Sequence, residues 1–68
     1  MYHVAYDKDT LNILGFIGTE DEINANEVFA GFENYEYKKT NIKPPFADFN
    51  NYTVKIEDDK IIGYEMGD

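Results

Sequence analysis

A chain of 68 residues without a cysteine has to fold without a disulfide, and its single histidine, His3, cannot build a Cys/His zinc site. A domain this small buries only about 60% of the surface that its unfolded chain exposes, so its stability needs support. Two means of support remain: a core rich in aromatic side chains, supplied by six Tyr and five Phe, or association with another chain. We expect a single domain over residues 1–68.

The net charge is strongly negative, −8 from fourteen acidic and six basic residues. Like charges repel, so we expect no direct binding of nucleic acid or of anionic lipid. The acidity serves either solubility alone or attraction to a cationic partner. The first residues lack a basic and apolar leader, and no run of 18 apolar residues occurs, so the sequence predicts neither a signal peptide nor a membrane span.

The first residues alternate between apolar and polar side chains in the manner of a β-hairpin. A strand over 2–6 is followed by the turn residues Asp7-Lys8-Asp9-Thr10 and a second strand over 11–17. A four-residue loop would set Tyr6 opposite Leu11 and Val4 opposite Ile13.

A second hairpin is predicted over 52–66, around the acidic turn Asp58-Asp59. With a three-residue loop, the expected apolar pairs are Ile56 with Ile62, Val54 with Tyr64 and Tyr52 with Met66. A two-residue loop would instead set Lys55 against Ile62 and Thr53 against Tyr64, which is a poorer match.

A helix is predicted between the hairpins. Its apolar stripe would consist of Val28, Phe29, Phe32 and Tyr35, spaced as on one helical face. Capping-box spacing occurs at Thr19–Glu22 and again at Asn24–Glu27, so two starting points remain open. Acidic residues precede the stripe and Lys38 and Lys39 follow it, which suits the helix dipole. Residues 40–51, with Pro44-Pro45, are typical of a loop, and its Phe46 and Phe49 should fold back over the core.

These elements predict an α+β fold of ββαββ order, in which two β-hairpins flank one helix. We expect one antiparallel sheet with the helix on one of its faces.

Catalysis has no candidate residues in this sequence. Serine and cysteine nucleophiles are absent, His3 lies on what we interpret as an edge strand, and nothing places two carboxylates in a cleft. Asp7-Lys8-Asp9 begins like a calcium loop, but Leu11 and Gly18 stand where ligands are required. We therefore predict no enzymatic activity, no metal and no cofactor.

Two groups of residues are candidate partner-binding patches. The acidic patch comprises Glu20, Asp21, Glu22 and Glu33, within a stretch that has no lysine, and could imitate nucleic-acid phosphates. The aromatic patch comprises Tyr35, Tyr37, Phe46 and Phe49, residue types that protein interfaces favour. Each has a simpler explanation, namely a solvated helix face for the first and core closure for the second.

The hairpins share a pattern in which an acidic turn precedes two aliphatic residues, a glycine and an aromatic residue. The segments are Tyr6-Asp7-Lys8-Asp9-Thr10 with Ile13-Leu14-Gly15-Phe16, and Asp58-Asp59-Lys60 with Ile61-Ile62-Gly63-Tyr64. They resemble short segments of small tail and baseplate proteins of phages that infect Gram-positive bacteria. The resemblance implies a phage accessory or structural protein of a kind that can form oligomers, and it carries over no functional residue.

Two hypotheses follow. In the first, the chain is a non-enzymatic phage or mobile-element accessory protein that acts through protein–protein interfaces and associates with itself, aided by edge strands. In the second, it is an acidic inhibitor or DNA mimic, of the anti-restriction or anti-CRISPR type, that blocks a basic surface of a host enzyme. Either places it in the host cytoplasm, or in the virion if it is a tail component.

Overall fold

The computed structural model describes residues 1–67, which form five β-strands and one short helix. In chain order the elements are β1 (Tyr2–Asp7), β2 (Ile13–Gly18), α1 (Ala25–Val28), β3 (Tyr35–Thr40), a 3₁₀ turn (Phe49–Asn51), β4 (Tyr52–Glu57) and β5 (Lys60–Met66). They build a three-stranded antiparallel sheet of order β2-β1-β3 and a two-stranded antiparallel sheet of β4 and β5. The fold is therefore mixed and rich in sheet, but the expectation of one sheet is wrong.

The first hairpin forms, with a register shifted from the predicted one. Tyr6 lies opposite Ile13, and Val4 lies opposite Phe16. The shift arises because the turn is longer than four residues: the Asp7 carboxylate accepts hydrogen bonds from two backbone N–H groups of the turn at 2.8 and 3.0 Å, and Leu11 adopts a positive φ of 66°. Strand β2 therefore begins at Ile13 and not at residue 11.

The second hairpin has the two-residue loop of one prediction and two of the three apolar pairs of the other. Its loop has two residues, Asp58 and Asp59, with φ of 53° and 64°, as in a turn whose two central residues are left-handed. An irregularity after Lys55 then restores apolar pairing, so that Val54 faces Tyr64 and Tyr52 faces Met66 as predicted. The predicted pair of Ile56 with Ile62 is wrong, because Ile56 lies opposite Ile61.

The sequence pattern that the hairpins share corresponds to a shared backbone irregularity. In each hairpin the first aliphatic residue is paired and buried, Ile13 at 1% exposure and Ile61 at 6%. The second, Leu14 or Ile62, is the extra residue of a β-bulge, since the pairing skips it. The aromatic residue that comes after the glycine, Phe16 or Tyr64, packs against the core.

The predicted helix is the largest correction. Only Ala25–Val28 is helical; Asn24 caps it by accepting a hydrogen bond from the N–H of Asn26, and Phe29 closes it. Gly31 at φ 95° and Asn34 at φ 53° are both left-handed, which breaks the helix before Tyr35. Residues 35–40, including Lys38 and Lys39, form β3 and pair with β1.

Layers on both faces cover the three-stranded sheet. One face presents Val4 and Tyr6 to the β4–β5 hairpin, and these residues share a buried cluster with Ile13, Val54 and Ile61. The other face lies beneath residues 19–34, which we call the covering segment. The Phe32 ring of that segment lies 3.1 Å from where a Cβ on Gly15 would stand. Within residues 1–67, no helix has the length and apolar character required to cross a membrane.

Candidate functional site

Strand β3 lies at the end of the three-stranded sheet, and one of its sides is unpaired. The sequence Tyr-Glu-Tyr-Lys-Lys-Thr alternates and contains aromatic residues that favour extended backbone. The strand pairs with β1 along its whole length. Among residues 1–67 no strand pairs with its other side, so β3 offers an open sheet edge.

Hydrogen bonds at the end of β1 show which backbone groups face this open edge. The N–H of Asp7 donates toward β2, to the carbonyl of Asn12, whereas the N–H of Lys8 donates toward β3, to the carbonyl of Asn34, both at 2.9 Å. Backbone direction alternates along a strand, so the even-numbered residues of β1 bond to the even-numbered residues of β3. The N–H and C=O groups of Tyr35, Tyr37 and Lys39 therefore point away from the sheet.

A groove of about 580 Å³ lies along this edge and is hereafter called the edge groove. It is lined by β3 residues from both sheet faces, by one residue of α1 and by one residue of the β4–β5 turn: Ala25, Tyr35, Glu36, Tyr37, Lys38 and Asp59. Side-chain hydrogen bonds connect its walls to β3. The Tyr35 hydroxyl donates to the Ala25 carbonyl at 3.2 Å, and the Lys38 ammonium donates to the Asp59 carboxylate at 2.6 Å.

Each lysine of β3 is directed to a carboxylate on its own face of the sheet. Lys38 reaches Asp59 on the hairpin face, and that hydrogen bond lowers the pKa of Asp59 and raises the pKa of Lys38. Lys39 reaches Glu22 of the covering segment at 3.0 Å, and that hydrogen bond lowers the pKa of Glu22. Both lysine side chains are thereby turned toward the layers that flank the edge.

The predicted acidic patch does not form one group in the structure. Glu20 pairs with the N-terminal ammonium at 2.8 Å, a hydrogen bond that lowers the pKa of Glu20, and Glu22 pairs with Lys39. Asp21 is exposed between them, and its N–H donates to the hydroxyl of Thr19. Glu33 is exposed at the other end of the covering segment. Two of the four carboxylates thus form exposed ion pairs, one with the N-terminus and one with β3.

The predicted aromatic patch is divided between the two faces. Tyr35 and Tyr37 contact Phe29 beneath the covering segment, with ring centroids 5.8 and 5.7 Å apart. Phe46 and Phe49 contact Phe16, with ring centroids 5.2 and 5.5 Å apart. Phe49 packs against the core as expected, whereas Phe46 remains 55% exposed. Of the four, Tyr35 and Tyr37 line the edge groove.

The strand that carries His3 has a different position in the sheet from the predicted one. His3 lies on β1, the central strand, and not on an edge strand. It is 1% exposed, and neither ring nitrogen has a hydrogen-bonding partner within residues 1–67. The sequence shows that His3 belongs to the alternating pattern of β1, but it does not show that β1 is the central strand of the sheet.

Metal ligation has no support from the described part of the chain. Residues 1–67 contain no group of three or more His, Asp or Glu side chains arranged to hold a metal ion. The carboxylates of the Asp7 turn are used locally: Asp7 accepts backbone hydrogen bonds, which lower its pKa, and Asp9 accepts from the amide of Asn34 at 2.9 Å.

Comparison with known proteins gave no match. No protein-family model fits the chain, and neither the curated proteins nor the solved structures contain one with significant similarity to it. The geometry of the residues is therefore the basis for assigning a function.

Proposed function

We propose that this chain is a non-enzymatic accessory or structural protein of a phage or mobile element, and that it acts through a protein–protein interface at the open edge of β3. The origin is supported by the resemblance of the hairpin segments. The interface is supported by one observation above the rest: β3 has an unpaired side, and two of its three outward-facing residues, Tyr35 and Tyr37, line a groove along that side. An extended strand of a partner would pair with them by β-augmentation.

The layers on either side give such a strand defined surroundings. Ala25 and Tyr35 are tied together on one face, and Lys38 and Asp59 on the other. A partner strand would thus meet walls that are already held in place, which reduces the entropy lost on binding. Main-chain hydrogen bonds would supply affinity, and the side chains that line the edge groove would supply specificity.

A proline at position 39 tests this interface. The N–H of Lys39 points outward, so Lys39→Pro removes a donor from the free edge without removing one from the ladder with β1. Lys39→Ala is the matched control, because it removes the same ion pair to Glu22 and keeps the N–H. Lys38→Pro is the contrasting variant, because its N–H belongs to the ladder, and it should destabilise the fold.

The probe is a displayed library of random short peptides, selected on the wild-type protein. We expect the selected peptides to bind Lys39→Ala and to lose at least about tenfold in affinity for Lys39→Pro, as a change of about 1.4 kcal/mol would give. In amide hydrogen exchange, binding should protect Tyr35, Tyr37 and Lys39, while Glu36, Lys38 and Thr40 are protected without peptide. Equal binding to both variants, or failure to select any peptide on a wild type that sediments as a monomer, would contradict the proposed function.

A further inference from the structure

The side chains of β3 are arranged almost symmetrically about Tyr37. Glu36 precedes it and Lys38 follows it, both on the face toward the β4–β5 hairpin. Tyr35 and Lys39 stand one step further out, on the face beneath the covering segment. A strand with opposite charges on either side of its midpoint is complementary to a second copy of itself that runs in the opposite direction.

We propose that the strand received by the edge groove is β3 of a second copy of this chain, paired antiparallel about a two-fold axis at Tyr37. This inference rests on the proposed function and names its partner. Tyr37 would pair with Tyr37 of the second copy, and Tyr35 would pair with its Lys39. Every outward N–H and C=O of these residues then has a partner, as a buried backbone requires.

The same register brings the opposite charges together. The outward residues form the hydrogen-bonded pairs, so Glu36 faces Lys38 of the second copy in a non-hydrogen-bonded pair, where Cα atoms are about 4.5 Å apart and side chains are closest. Tyr37 stacks beside its own copy on the other face, an aromatic pair that favours sheet formation.

Neighbouring registers are poorer both in the pairing of charges and in the number of backbone groups that find a partner. Centring the two-fold axis on Glu36 would place Glu36 opposite itself, and centring it on Lys38 would place Lys38 opposite itself. Like charges directly opposite each other destabilise a sheet. Each of these registers also leaves one of the three outward residues without a partner, so the pairing about Tyr37 is favoured.

Lysines on an edge strand usually prevent pairing between chains. Here Lys38 is held by Asp59 and Lys39 by Glu22, each on its own face of the sheet. The lysine side chains are therefore drawn toward the flanking layers, and the backbone edge between them is left accessible. Pairing would join the two molecules in one continuous sheet of order β2-β1-β3-β3-β1-β2.

Charge exchange tests the register directly. In Glu36→Lys, lysine at 36 would face Lys38 of its copy; in Lys38→Glu, glutamate at 38 would face Glu36. We expect the wild type to sediment at twice its mass of 7.9 kDa and each variant alone to sediment as a monomer at the same concentration. An equimolar mixture of the two variants should recover the dimer, because every facing pair in the mixed dimer has opposite charges. Circular dichroism of each variant checks that it is folded.

The mixture separates this inference from a structural effect of the substitutions, since a misfolded variant would not be rescued by another. A wild type that stays monomeric at millimolar concentration, or a mixture that stays monomeric, would overturn the self-pairing. If the selected peptides still distinguish Lys39→Pro from Lys39→Ala, the interface at β3 stands and its partner is another protein. If the dimer forms but Lys39→Pro does not weaken it, the second copy binds elsewhere.

Discussion

Replacing His3 with leucine should make the protein more stable. The imidazole is 1% exposed, and neither of its nitrogens has a hydrogen-bonding partner within residues 1–67. A neutral imidazole has one donor and one acceptor, and an unpaired buried polar group costs about 1–3 kcal/mol. Leucine removes both groups, while an imperfect match of shape costs less than about 1.5 kcal/mol. Removing two unpaired groups therefore leaves a net gain of at least about 0.5 kcal/mol for His3→Leu, even with the full packing cost.

Urea unfolding at neutral pH, followed by circular dichroism, measures this change. The midpoint should rise with an unchanged slope, and the melting temperature should rise by at least about 2 °C. His3→Asn is the control: it keeps a polar side chain at the position and leaves unfilled space, so it should be less stable than the wild type. A leucine variant that is less stable than the wild type would refute the reasoning, because it would mean that the ring nitrogens are satisfied.

Three further predictions concern other positions. Gly15→Ala should destabilise by about 1 kcal/mol, the low end of the cost of overpacking, since its Cβ would lie 3.1 Å from the half-buried Phe32 ring and shift it slightly, whereas Gly63→Ala, with open space at its Cβ, should show no such loss in the same urea assay. Tyr64→Phe should cost about 0.5–1.5 kcal/mol through loss of a 2.7 Å hydrogen bond to a loop carbonyl. Burial raises the pKa of Tyr64 to about 12, so spectrophotometric titration of this variant should lack the most alkaline phenol. Asp59→Asn should lower the urea midpoint at neutral pH, because it removes the ion pair to Lys38. The folded pKa of Asp59 lies below its usual 3.8, so the difference from wild type should begin to shrink as the pH falls below about 4 and should vanish below the folded pKa; a difference that does not shrink as the pH is lowered would count against the ion pair.

The hairpins were predictable because they depend on short-range patterns. Alternation and turn residues located both, and the pairs of Val54 with Tyr64 and of Tyr52 with Met66 are confirmed. Their bulges could not be predicted, since one extra residue leaves the alternation intact on either side of it. Leu14 and Ile62 became recognisable as bulge residues only through the observed pairing.

The helix prediction failed because residues 28–37 carry two periodicities at once. Val28, Phe29 and Tyr35 fit a helical stripe, but Tyr35 and Tyr37 equally fit the alternation of a strand. Pairing with the buried strand β1 decides between them, and that is a long-range effect that a local pattern does not contain. The edge of β3, and with it the candidate interface, was hidden for the same reason: a sequence does not state which strand ends a sheet.

The position of β1 between its two neighbours also has a consequence for how the protein folds. It joins β2 through the short loop 8–12 but reaches β3 only across the longer connection 19–34, and closing a longer loop costs more entropy. Hairpins form within microseconds, so we expect both hairpins to form first and β3 to dock last. The proposed partner surface would then be assembled in the final folding step. Until that step, the exposed edge belongs to β1, so the proposed association through β3 would be restricted to chains that have finished folding.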